Sequence, residues 1–151
     1  MVGVFSFGEL PRRMDKLGGT ITHGVSTLVQ EVAIGIGATV VDTTRVDTGK
    51  ARSNWRATLD TPANGVIPPY SPGNNLGIGE TANANAAKAQ QKQVIRRFSA
   101  VKQRSIFITN RVPYIETLNS KGTAPGMMIE QGIQTGRLVL SANASKVLKA
   151  R

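Results

Sequence analysis

The chain has 151 residues and a mass of 16.1 kDa, the size of one ordinary domain. It carries 19 Lys and Arg against 9 Asp and Glu, a formal charge of +10, with one His and no Cys. These counts exclude a disulfide framework, a cysteine zinc site, a thiol nucleophile and a multi-histidine metal site built by a single chain.

Residues 2–7 are short and apolar, suited to a strand or an arm, and Pro11 punctuates the chain after them. Residues 10–44 form a long helix region. From Asp15 to Thr44, the residues Leu17, Ile21, Val25, Leu28, Val32, Ile36 and Val40 step by three or four, the period of one helix face. This predicts one long helix, or two joined near Gly18 and Gly19. Each of its glycines costs about 1 kcal/mol against Ala, so the helix needs tertiary or subunit packing. The longest apolar stretch, Val25 to Val41, is interrupted by Gln30, Glu31, Gly35 and Gly37. It reads as a buried helix and not as a membrane span. No targeting signal is expected, and the absence of cysteine suits a reducing compartment.

Val46, Asp47, Thr48 and Gly49 end the helix and turn the chain. Asn54 to Leu59 alternates, with Trp55, Ala57 and Leu59 on one side, and predicts a half-buried strand. Residues 60–81 hold four prolines and four glycines without a regular period and predict a long loop. A basic helix is expected over 82–101, with Thr81 as its N-cap and Lys88, Lys92 and Arg96 sharing one face. Ser105 to Asn110 alternates again and predicts a second strand. A turn with a short helical piece follows at Pro113 to Asn119, then a loop, then a helix over 128–148 with Ile129, Ile133, Leu140, Ala144 and Val147 at helical spacing. The expected fold is α+β in a single domain, 1–151. A small antiparallel sheet packs against a long N-terminal helix and one or two further helices.

Four short patterns invite a chemical reading. Asp47-Thr48-Gly49 is the core of the aspartic-protease signature, in which two such Asp residues of a dimer share a proton. Here Arg45 and Lys50 flank it, and a nearby ammonium favours full ionisation of the Asp. The same three residues serve a turn or a helix cap. Gly49-Lys50 fails the phosphate-loop pattern, because Thr44 and Ala51 stand where Gly and Ser or Thr are required. The Gly-rich run from Gly73 to Gly79 lacks dinucleotide spacing. His23 and Ser26 lie close in sequence, but nothing places an acid beside them. No cofactor, metal or catalytic residue is expected.

The charge is unevenly placed. Residues 1–75 carry 7 basic and 6 acidic side chains, and residues 76–151 carry 12 and 3. Lys88, Lys92, Arg96, Arg97, Lys102, Arg104 and Arg111 lie in a span with no acid between Glu80 and Glu116. Such a tract suits phosphate contact without base reading, because only Phe98 and Phe107 are available for stacking. A solvated basic face is the plain alternative. Among functions, the residues alone allow a non-specific nucleic-acid-binding protein and, more remotely, a dimeric aspartic protease.

Three stretches in order carry a resemblance. The first runs from Val46 to Trp55 and includes Asp47, Gly49 and Asn54. The second is Ile106 to Asn110, followed by Pro113, Tyr114, Ile115, Glu116, Leu118, Asn119 and Gly122. The third is Ala124, Pro125, Gly126 and Met127. Together with Phe5-Ser6-Phe7 ahead of a long helix, and the loop from Pro69 to Gly73, this order resembles the neck and tail-completion proteins of tailed bacteriophages. Arg45 stands where that family often has Pro, and the chain after Met127 matches less distinctly.

The resemblance implies a non-enzymatic virion protein made in the host cytoplasm. It implies a subunit of a ring, commonly six-fold, at the head–tail junction or the top of the tail, as connector, tail terminator or tail-completion protein. Neighbouring neck, connector and tail-tube proteins would be its partners, and DNA would pass through the lumen without sequence reading. Asp47 and Gly49 would form a turn, Trp55 would anchor the sheet, and Asn110, Pro113 and Tyr114 would fix the chain after the second strand. Pro68, Pro69, Tyr70, Pro72 and Gly73 are the candidate docking loop. Lys88, Lys92, Arg96, Arg97, Lys102 and Arg104 are the candidate lumen or partner-facing surface. No membrane contact is expected.

Overall fold

A computed structural model describes residues 10–45, 49–72, 78–103, 105–120 and 127–149. Helix α1 spans Leu10–Thr43, α2 Lys50–Ser53, strand β1 Arg56–Leu59, α3 Ile78–Ile95, β2 Ile106–Thr109, α4 Ile115–Ser120 and α5 Met128–Lys149. The strands pair antiparallel, with Arg56 opposite Thr109 and Leu59 opposite Ile106. The fold is α+β, as expected: a two-stranded sheet set against the long N-terminal helix and α3.

Helix α1 is one continuous helix of 34 residues, about 51 Å long. It passes through Gly18 and Gly19 without a break. Helix α5 returns antiparallel along it, and small residues set how closely the two approach. A Cβ at Gly132 would lie 2.9 Å from Val40 Cγ1, and one at Gly136 would lie 2.8 Å from the end of Ile36. On α1, a Cβ at Gly24 or Gly35 would crowd Val147 and Val139 in the same way. Thr39 Oγ1 donates to Thr135 Oγ1 across this seam at 2.8 Å. The glycines that weaken α1 in isolation thus admit the branched side chains of its neighbour, which is the packing such a helix needs.

The core lies where α1, β1, α3 and the start of α5 meet. Val40, Val41, Trp55, Ala84, Ala87 and Met128 form one buried cluster, with Ile108, Ile115 and Leu118 against it. Ala33, Ala57 and Ile95 form a second. Trp55 Nε1 donates to Thr44 Oγ1 at 2.7 Å, and that hydroxyl caps back onto the Val40 carbonyl. The indole therefore fixes the end of α1 as well as filling the core.

Several expected boundaries move. Helix α3 begins at Ile78, so Thr81 is not its N-cap, and the irregular stretch is shorter than 60–81. It ends at Ile95 and not near Val101. Beyond it, α1 side chains satisfy the backbone: Gln30 Nε2 donates to the Phe98 carbonyl at 2.8 Å, and Ser26 Oγ accepts from the Ala100 N–H at 2.9 Å. These bonds replace the next helical turn. Phe98 is buried through this turn, while Val101 points to solvent. The first strand starts at Arg56 because Asn54 caps α2 instead.

The amphipathic stripes also differ from the sequence reading. Ile129, Ile133 and Leu140 of α5 are exposed, because α5 turns its glycine face to α1. Leu17, Ile21 and Val25 of α1 are exposed too. By length and composition the stretch Asp15–Thr43 is apolar enough to cross a membrane, contrary to the expectation from its interruptions, and only 28% of its most apolar window is buried.

Candidate assembly surface

The irregular segment 60–72 is held by side chains from three elements. Asn54 Oδ1 accepts from the Ile67 N–H, and its Nδ2 donates to the Ile67 and Lys50 carbonyls, each at 2.8 Å. Asn83 on α3 takes the next grip: its Oδ1 accepts from the Ser71 N–H at 2.7 Å and from Ser53 Oγ at 3.0 Å, and its Nδ2 donates to the Ser71 carbonyl at 2.9 Å. Ser53 Oγ accepts from the Tyr70 N–H. Arg56 Nη2 donates to the Asn64 and Gly65 carbonyls. Asn54, Ser53 and Asn83 are all buried, and a buried polar group is worth its place only when satisfied, as these are. The expected docking loop is therefore a rigid platform. Pro68, Tyr70 and Pro72 stand exposed on it, with Pro69 half-buried, and Gly73 lies outside the described residues.

Asn54→Ala should release this loop. It removes three hydrogen bonds at a buried position, an expected cost of about 2 kcal/mol. Urea unfolding measures that loss, and limited proteolysis should show faster cleavage within 60–72 while the α1–α5 pair stays protected.

Gly49 sits at the start of α2 with φ +75°, against the Asn83 side chain. Asp47 lies outside the described residues, as do Pro125 and Gly126. After β2, Asn110 Nδ2 donates to the Ala51 carbonyl at 2.8 Å and its Oδ1 accepts from the Val112 N–H. Asn110 thus ties this segment to α2. Val112 is buried and its carbonyl accepts from the Ile115 N–H, while Pro113 and Tyr114 are exposed and the Tyr114 carbonyl accepts from the Leu118 N–H.

The basic tract divides. Lys88 pairs with Asp42 at 2.8 Å and Arg96 with Glu31 at 2.6 Å, so both direct their charge onto acids of α1. These pairs are partly exposed and worth little stability. They do, however, remove two cations from the outward field. Arg111 Nε donates to the Ala63 carbonyl, and Arg52 Nε to the Thr44 carbonyl. Lys92, Arg97 and Lys102 are exposed and have no ion-pair partner among the described residues, while Arg104 lies outside them. His23 is exposed. Ser26 Oγ, which donates to the Thr22 carbonyl, is occupied structurally. Among the described residues no group of three His, Asp or Glu is placed to hold a metal ion.

Sequence reasoning missed Asn83, Gln90 and Gln91. Gln90 bonds both the N–H and the C=O of Ala57, each at 3.1 Å, and Gln91 Nε2 donates to the Trp55 carbonyl at 2.8 Å. Two side-chain amides thus stand where a further strand would lie beside β1. A polar residue facing the core side of an Ala-rich helix was the available signal. Family models, curated proteins and solved structures were compared with the chain, and none matches.

Proposed function

We propose that the chain is a structural subunit of a ring at the head–tail junction or top of the tail of a tailed bacteriophage, with no catalytic role. The observation that carries the assembly reading is the uncovered apolar surface. Leu17, Ile21, Val25 and Val29 of α1 and Ile129, Ile133 and Leu140 of α5 are all exposed in the single chain. A monomer rarely leaves that much apolar surface to water. The place in the virion rests on the ordered motifs around Trp55, Asn110 and Tyr114 and on their resemblance to neck and tail-completion proteins. The rigid Pro/Tyr platform supports it as a contact for a neighbouring ring.

Light-scattering mass measurement with negative-stain imaging tests this reading. The expected result is a multiple of 16.1 kDa with annular particles. A monomer at every concentration overturns the ring. The cations Lys92, Arg97 and Lys102 favour a second reading, a non-specific nucleic-acid binder without ring formation. It predicts duplex DNA affinity whose logarithm falls with log salt by about 0.9 per phosphate contacted, shown by a species of monomer mass.

A further inference from the structure

The two edges of the sheet are treated differently. The N–H and C=O of Ala57 both bond Gln90, so they point away from β2. Ala57 faces Ile108, which makes that pair the non-hydrogen-bonded kind in an antiparallel ladder. The Leu59 carbonyl likewise turns outward, to the Thr61 N–H, and Leu59 faces Ile106. The N–H and C=O groups of Ile106 and Ile108 therefore point away from β1, along the outer edge of β2. Among the described residues no hydrogen bond reaches them. One edge is closed by Gln90, and among the described residues the other is open.

The open edge borders an apolar trough. Its volume is about 540 Å³, and its lining includes Val32 and Ile36 of α1, Leu140 of α5, Phe98, and Ile106 and Ile108 of β2. An extended segment paired to β2 would satisfy the edge and lay alternate side chains on this lining. Unpaired edges beside apolar surface are unstable in water and are covered in native proteins.

The chain holds one segment of suitable chemistry with no place among the described residues: Val2-Gly3-Val4-Phe5-Ser6-Phe7. It is rich in β-formers, and Phe5 and Phe7 alternate with Ser6. It cannot reach the edge of its own chain. Ala33, which clusters with Ile106, lies about 35 Å along α1 from Leu10 at about 1.5 Å per residue. With residues 2–7 used as the strand, only Gly8 and Glu9 remain as a link, a reach of roughly 7–10 Å. The same segment of a second copy is free of that limit.

We propose that residues 2–7 of one copy add as a third strand to the open edge of β2 in the next copy, with Phe5 and Phe7 seated in the trough. Such a contact is head-to-tail, the kind that closes a ring or builds a filament. It deepens the ring reading and rests on it.

The absence of cysteine makes the test direct. Ser6→Cys and Phe107→Cys variants, mixed and treated with a short bis-maleimide, are expected to give a heterodimer of twice the chain mass. Thr109→Cys serves as a second edge position on the same strand face, with circular dichroism verifying the fold of each. The double variant S6C/F107C should give a ladder of multimers. An internally linked monomer, or no cross-link at either edge position, overturns the proposal. A Phe5→Asp, Phe7→Asp variant lies in the arm and should drop the solution mass to a monomer. An oligomer that survives this change overturns the arm and leaves the ring standing. A wild-type monomer at every concentration overturns both.

Discussion

Trp55→Ala should lower the unfolding free energy by about 3–5 kcal/mol, the range for deleting a large buried aromatic. That is a large share of the roughly 5–15 kcal/mol that stabilises an ordinary domain. The indole is 4% exposed and packs with Val40, Val41, Ala84, Ala87 and Met128, residues of three helices. Its loss opens a cavity at the one point where α1, α3 and α5 converge. It also strips the Nε1–H bond from Thr44 Oγ1 at the end of α1. Trp55→Phe separates the two effects. It keeps most of the ring volume and should cost about 1–2 kcal/mol, chiefly the hydrogen bond and a small void. Urea titrations followed by far-ultraviolet circular dichroism measure both, because the chain has a single Trp and the variants lose its fluorescence. Equal losses for the two variants would mean that the hydrogen bond, and not the packing, holds the core.

Gly49→Ala carries two penalties at one atom. The backbone has φ +75°, where an L side chain costs about 1–2 kcal/mol. The new Cβ would also collide with Asn83 Nδ2. Asn83 is buried and bonds Ser53 and both backbone groups of Ser71, so it has little room to yield. Displacing it should forfeit two or three bonds of about 1 kcal/mol each, for a total of about 3–5 kcal/mol. Gly65→Ala is the internal control. Its φ is +69°, but its Cβ would meet open space, so only the conformational term of about 1–2 kcal/mol remains. Urea unfolding of the two variants side by side measures the difference. A Gly49 variant no worse than the Gly65 variant would show that the Asn83 clamp moves freely.

Much of the fold was legible from spacing. The helical period from Leu17 to Val40 predicts α1, and the alternation around Ala57 and Ile108 predicts β1 and β2, because these patterns follow from the geometry of single elements. The roles of Trp55 as anchor of the sheet and Asn110 as a fastener were expected only from the resemblance to the phage family. Boundaries were less legible. Phe98 and Val101 continue the period of α3, yet the helix stops at Ile95, because Gln30 and Ser26 of a distant helix supply the hydrogen bonds. The loop was visible from its prolines and glycines, but its rigidity was not. That depends on Asn54 and Asn83, two residues whose type fits many exposed positions. Lys88 and Arg96 read as members of a basic face until their acids on α1 are placed beside them.

By itself the sequence determined most of the elements and the chemistry excluded: a long N-terminal helix region, whole or broken at Gly18 and Gly19, two short strands, no cysteine chemistry and an excess of positive charge in the second half. Those properties are local or additive, so no folding was needed to see them. Only the tertiary structure decided which faces are used. Helix α5 turns Gly132 and Gly136 to α1 and leaves Ile129, Ile133 and Leu140 outward. Gln90 closes one edge of the sheet, and among the described residues the other edge has no partner. Both outcomes depend on how closely two backbones approach and on which polar groups they then satisfy, quantities that residue spacing along one element does not contain.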